Sequence, residues 1–249
     1  MTEAVEILNA EGKGRVVILC EHASSHIPPQ YDNLGLSAAD SVSHAAWDPG
    51  ARDLSLFLSR ALDAPVVASR ISRLVYDCNR PPEAPGAMTE RSEVIDVPGN
   101  RGLSAEDRQA RVRTVYKPFC DAVGNVLDSH GTDTVVVTVH SFTPIYFGKP
   151  RSVEIGLLHD SDSRLVDEML DHAGSLSHRR VARNEPYGPE DGVTHSLQIH
   201  ALNRGFANVM IEVRNDLLST PEDIDEIGQE LLSLLLPALE KITNGETVS

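Results

Sequence analysis

The stretch Thr134–Ser141 reads TVVVTVHS, six β-branched residues in succession and then a histidine and a serine. So short an apolar run, without helical spacing, reads as a strand covered on both faces. Three further runs share the pattern: Arg15–Cys20 (RVVILC), Val153–Leu158 (VEIGLL) and Asn208–Val213 (NVMIEV). Val66–Ser69 and Ile71–Tyr76 read as two more strands with a break between them. Helical patterns separate these runs. Pro49 to Leu62 places Leu54, Phe57, Leu58 and Leu62 on one face. Ser104–Asp107 opens a long amphipathic segment as a capping box. Thr220 caps a last helix with Pro221 at its first position, and Ile224, Ile227, Leu231, Leu234, Leu235 and Ala238 form its core face; Pro237 is expected to kink it. Strand and helix alternate, which predicts a three-layer α/β fold with a mostly parallel or mixed central sheet flanked by helices. Residues 1–249 are expected to form a single domain, with a disordered tail from about residue 244.

Charge limits the partners. With 37 acidic against 22 basic residues the formal net charge is −15, which repels phosphate backbones and anionic membranes. Nucleic acid and membrane are therefore not expected as partners, and no apolar run approaches the roughly 20 residues of a membrane span. An anionic small molecule would have to be held by a few local cations. Cys20, Cys78 and Cys120 form no C-x-x-C pair. Together with an N-terminus lacking a basic stretch, they suggest a reduced, cytoplasmic protein. A homo-oligomer is left open.

The chemistry gathers after the strands. Glu21 and His22 follow the first run, and Asp77, Asn79 and Arg80 follow ISRLVY. His140 and Ser141 follow TVVVTV, and Glu212 lies in NVMIEV with Arg214 and Asp216 just beyond. Ligands of α/β sheets bind outside the carboxyl ends of the strands, so these groups should share one cleft. His22 and His140, joined by a carboxylate, would make a three-ligand site for one divalent metal, Zn²⁺, with an open position. Asp48 in HAAWDPGA is the favoured carboxylate, with His44 one helical turn away as its competitor. Glu212, the only acid in an apolar strand, reads either as a salt-bridge partner of Arg214 or as a general base raised by burial. Arg80 offers a planar fork for a substrate carboxylate, although Asp77-x-Asn79-Arg80 before two prolines also reads as a turn. No G-x-S-x-G elbow supports a serine hydrolase, and Cys20 beside Glu21 is a poor thiolate. The Pro- and Gly-rich segment Asn79–Arg101 is long enough to wall a pocket.

Six segments in order give these residues a family context: CEHASSHIP (Cys20–Pro28), HAAWDPGA (His44–Ala51), SRLVYDCNRP (Ser72–Pro81), VHSFTP (Val139–Pro144), NEPYG (Asn184–Gly188) and IEVRNDL (Ile211–Leu217). Through them the chain resembles the N-formylglutamate amidohydrolase family over roughly residues 14–220. The resemblance implies a zinc-exopeptidase-like fold and one metal on His22 and His140. It takes a third ligand from the His44–Asp48 segment, substrate contacts from Asn79 and Arg80, and a catalytic carboxylate at Glu212. Ser25 stands where carboxypeptidase-like sites carry a glutamate, which leaves the second ligand the open assignment. Arg214 is the candidate for a second substrate carboxylate or for bracing Glu212. The implied reaction hydrolyses an N-formyl or similar short N-acyl amino acid, N-formylglutamate giving formate and glutamate. A carboxypeptidase-like peptidase, a deacylase of another acyl amino acid and a non-catalytic amino-acid-binding module are the alternatives.

Overall fold

The computed structural model describes residues 4–245, with side chains as far as residue 242. Its centre is a seven-stranded mixed sheet. The strands are β1 (Val5–Leu8), β2 (Val16–Cys20), β3 (Val66–Ser69), β4 (Val135–Phe142), β5 (Ile155–Leu158), β6 (Val181–Arg183) and β7 (Ala207–Arg214). In space they run β1-β3-β2-β4-β7-β5-β6. The four central strands β3, β2, β4 and β7 are parallel. At one edge β1 is antiparallel to β3; at the other β5 is antiparallel to β7, and β6 is parallel to β5.

The apolar runs do bury both faces. Val135, Val137 and Val139 of β4, with Val209, Ile211 and Val213 of β7, point into one cluster. That cluster also takes Leu54 and Leu58 of α1 (Ala51–Leu62), Leu165 and Met169 of α4 (Arg164–His172) and the Ile224-to-Ala238 face of α5 (Pro221–Gly245). On the opposite face Val17, Leu19 and Val136 pack against Phe119, Val123 and Leu127 of α3 (Lys117–Asp128), which continues α2 (Ala105–Arg111) through one wider turn. Two helical layers thus enclose the sheet, as the alternation predicts. Each fully buried Val, Ile or Leu contributes roughly 1.5–3 kcal/mol.

The capping box at Ser104 forms with Asp107. Thr220 accepts from the Asp223 N–H at 3.1 Å while Asp223 accepts from the Thr220 N–H at 3.0 Å. α5 continues through Pro237 as one helix to Gly245. The tail expected from about residue 244 thus begins within its last turn, and residues 246–249 lie outside the described residues. One expectation fails: Ile71–Tyr76 is not a strand. The Ser72 hydroxyl accepts from the Leu74 N–H at 3.2 Å and the Ser72 carbonyl from Val75 N–H at 2.9 Å, so local bonds turn the chain before a ladder can form. No helix among the described residues is long and apolar enough to cross a membrane.

Candidate functional site

The register of β4 and β7 sets Glu212 directly beside His140 on the sheet, both on the face away from α1, α4 and α5. His22 follows the end of β2, next to β4, so it reaches the same place. Asp48 arrives from the other side. Gly50, at φ 81°, turns the chain into α1, and a Cβ there would overlap the Leu218 side chain. The Asp48 N–H donates to the His22 carbonyl at 3.0 Å, and its Oδ2 accepts from the Ser141 N–H at 3.3 Å.

Three donor atoms meet there. Asp48 Oδ2 lies 3.2 Å from His22 Nδ1 and 2.8 Å from His140 Nδ1, and the two Nδ1 atoms are 3.2 Å apart. All three side chains are buried. The far side of each ring faces another carboxylate: His22 Nε2 is 2.7 Å from Asp77 Oδ1, and His140 Nε2 is 3.2 Å from Glu21 Oε2. The second pair is an ionic contact without hydrogen-bond alignment. Carboxylates behind both Nε2 atoms favour a proton there, which turns the Nδ1 lone pairs toward Asp48. Two lone pairs and a carboxylate oxygen directed at one point repel each other unless a cation lies between them. The donor set therefore fits a divalent metal.

The electrostatics agree. Burial opposes charge on Asp48, yet His22 and His140 hold its carboxyl well below the usual range. Burial likewise opposes charge on Asp77, but His22 and then Arg73 hold it far down. His140 is disfavoured as a cation by burial, and Glu21 and Asp48 still raise it well above an ordinary imidazole. The site thus draws positive charge. Arg73 supplies some, with its guanidinium 3.3 Å from Asp48 Oδ1 and 2.8 Å from Asp77 Oδ2. Glu212 is the opposite case: burial pushes its carboxyl up to about 7, and its Oε2 has no hydrogen-bond partner among the described residues.

These groups open into a cavity of about 320 Å³, a size suited to a small ligand. Its walls include Arg80, His44, Glu93, Tyr146 and Tyr187. His44 does not join the three converging atoms; its Nε2 is 3.0 Å from Glu93 Oε2, and of the two competing residues it is Asp48 that lies beside both histidines. Asn79 lines the cavity, but its amide donates to the Val193 carbonyl at 2.5 Å and accepts from the Ser196 N–H at 2.9 Å. It holds the neighbouring chain rather than presenting a free fork. Arg80 donates Nη1 to the Asp191 carbonyl at 2.6 Å and has no carboxylate partner among the described residues.

Arg214 is not brought to the cavity. Its guanidinium lies against Asp216 at 2.8 Å and Glu154 at 3.6 Å, and Nη1 donates to the Arg151 carbonyl at 3.3 Å. The salt bridge between Glu212 and Arg214 does not form. Sequence reasoning missed Arg73, Glu21 as the partner of His140, and Tyr187. Arg73 and Asp77 stand four apart, a signal that reading the segment as a strand concealed. His178, Glu226 and Glu230 also cluster, but Arg179 neutralises the two acids at 2.6 and 2.9 Å and the histidine is exposed.

A family model described as N-formylglutamate amidohydrolase matches residues 14–219, a span that holds every residue lining the cavity. The chain belongs to the N-formylglutamate amidohydrolase family. As such it is an amidohydrolase. The solved structure of a gene product from Agrobacterium tumefaciens is 51% identical to it, with a TM-score of 0.94 over 96% of each chain. The N-formylglutamate amidohydrolase from Ralstonia eutropha JMP134 shares the fold at 18% identity, with a TM-score of 0.69 over 98% of this chain and 99% of that one. No match was found among curated protein sequences. In this amidohydrolase the His22–Asp48–His140 convergence lies at the carboxyl ends of the parallel strands, where α/β sheets bind ligands.

Proposed function

We propose that this chain is a metal-dependent deacylase of small anionic N-acyl amino acids, releasing formate and glutamate from N-formyl-L-glutamate. The observation that carries the proposal is the meeting of His22 Nδ1, His140 Nδ1 and Asp48 Oδ2 beside the unpartnered Glu212 carboxylate. These three side chains would hold one divalent ion, Zn²⁺ by its ligand preferences, which supplies Lewis acidity toward an amide carbonyl and an attacking water. Glu212 takes the proton of that water at Oε2 and returns it to the amide nitrogen, so the amine leaves neutral. Burial raises the proton affinity of that carboxyl, which strengthens it as a base. Arg80, anchored by one nitrogen, turns the rest of its fork to a substrate carboxylate. Asn79 positions the 193–196 backbone behind it, and Arg73 locks Asp48 and Asp77 in place. Three free cysteines support a reduced, cytoplasmic setting.

The test is formate or acyl release from a panel of N-formyl and N-acetyl amino acids, before and after chelation. N-formylglutamate should rank first, and chelation should abolish its turnover. A preference for an N-acyl peptide, or full turnover in chelator, would contradict the reading.

A further inference from the structure

N-formylglutamate carries two carboxylates, and with Arg214 committed elsewhere only Arg80 is left of the cations first assigned to them. The structure offers a second point of anion recognition in the same cavity. We propose that Tyr187, backed by Arg151, binds the side-chain carboxylate of the substrate and so sets the preference for an acidic amino acid. This rests on the substrate class proposed above.

Arg151 Nη2 donates to the Tyr187 hydroxyl at 2.7 Å. Its guanidinium lies over the rings of Tyr146, Tyr187 and Phe142, at 4.3, 4.8 and 5.5 Å from their centroids, and all three rings line the cavity. In a chain of net charge −15, Arg151 nevertheless has no carboxylate partner among the described residues. Its charge is held by aromatic faces and reaches the cavity through a phenol whose oxygen already accepts a bond. The hydroxyl proton is thereby left to donate, and a donor polarised by a guanidinium suits an anionic acceptor. Burial, with Glu212 close by, pushes the phenol up to about 12, so it keeps that proton at neutral pH.

Two devices fix the ring in place. Gly156 of β5 pairs across from Glu212 of β7, and a Cβ on it would overlap the Glu185 carbonyl. The missing side chain lets the segment before Tyr187 cross the sheet beside the catalytic carboxylate. On the other side Arg214 holds the Arg151 carbonyl at 3.3 Å, which gives the arginine of the IEVR motif a supporting task. Arg80 follows the turns beyond β3, whereas Tyr187 lies over β5. Both side chains line the cavity, and Arg80 is tied to the Asp191 carbonyl, so the two anchors stand at separate points of one wall.

Calorimetric binding of the product amino acids tests this without turnover. Glutamate and glutamine differ in one charge at nearly equal shape. The wild-type protein should bind glutamate about tenfold or more tighter than glutamine, the worth of a charge-assisted hydrogen bond. Tyr187→Phe, which keeps the ring, should reduce the ratio to about threefold or less by weakening glutamate alone. Arg151→Met should do the same, with thermal melting confirming that each variant is folded. An unchanged ratio in folded Tyr187→Phe, or equal wild-type affinities, overturns the assignment. Failure of the substrate reading shows separately, as absence of formate release from N-formylglutamate by the wild-type protein.

Discussion

The two faces of β4 and β7 differ as sharply as any two regions of this molecule. On one, Val135, Val137, Val139, Val209, Ile211 and Val213 pack into an apolar cluster with three helices. On the other, one residue away each time, stand Thr138, His140, Asn208 and Glu212, all buried and several without a full set of partners. A strand alternates its side chains, so one run of eight residues can serve the core and the reaction together. The apolar face supplies the stability that the polar face spends on desolvated charge. Substitutions on the two faces should therefore separate stability from activity.

The largest effect on the polar face should come from His140→Ala. It removes a proposed ligand atom and leaves Glu21 buried without its imidazole partner and Asp48 with only His22 and Arg73, so turnover should fall about a thousandfold or more and bound metal should be lost. Metal analysis together with formate release checks it. Glu212→Gln keeps the three ligand atoms and should lower turnover about a hundredfold while metal content stays unchanged.

The same variant carries a pH signature. The folded carboxyl titrates near 7 and the unfolded one near its ordinary 4.5. Between those values the folded state binds the extra proton, so the metal-free wild type loses stability as pH rises through that window. At pH 8 metal-free Glu212→Gln should be the more stable by about 3 kcal/mol, with the gap closing below about pH 5. Denaturant unfolding at both pH values measures it; equal stability at pH 8 would show that Glu212 is not desolvated.

Glu21→Gln should weaken metal affinity by about 10- to 100-fold through the orientation of His140, read by chelator competition. Val137→Ala, on the apolar face, should cost about 2 kcal/mol of stability and leave the turnover of the folded enzyme unchanged. A loss of turnover there would blur the division between the faces.

Much of this was legible in the sequence for the same physical reason. His22, His140 and Glu212 stand out because they interrupt or close apolar runs, and the register of parallel strands then brings them together. The edge strands Val5–Leu8 and Val181–Arg183 escaped notice, being short and only partly buried. Ile71–Tyr76 looked like a strand because its composition is apolar, while a single serine decided its conformation. Arg214 was misplaced because the direction of a long side chain at a strand end depends on which acceptors compete for it, here one two residues on and one just ahead of β5. Glu154 and Asp216 drew it away, and Arg151, with no carboxylate partner among the described residues, bonds the Tyr187 hydroxyl behind the cavity wall. Asp48 and His44 could not be separated by spacing; packing against Ser141 and Glu93 separates them.

Titration of a divalent metal into chelator-stripped protein, with formate release followed at each addition, tests the convergence of His22, Asp48 and His140 most directly. Activity should rise from background and level off at one equivalent per chain, and His140→Ala should neither bind the ion nor recover. Full turnover by the stripped wild-type enzyme, or recovery by His140→Ala to the wild-type level, would contradict it.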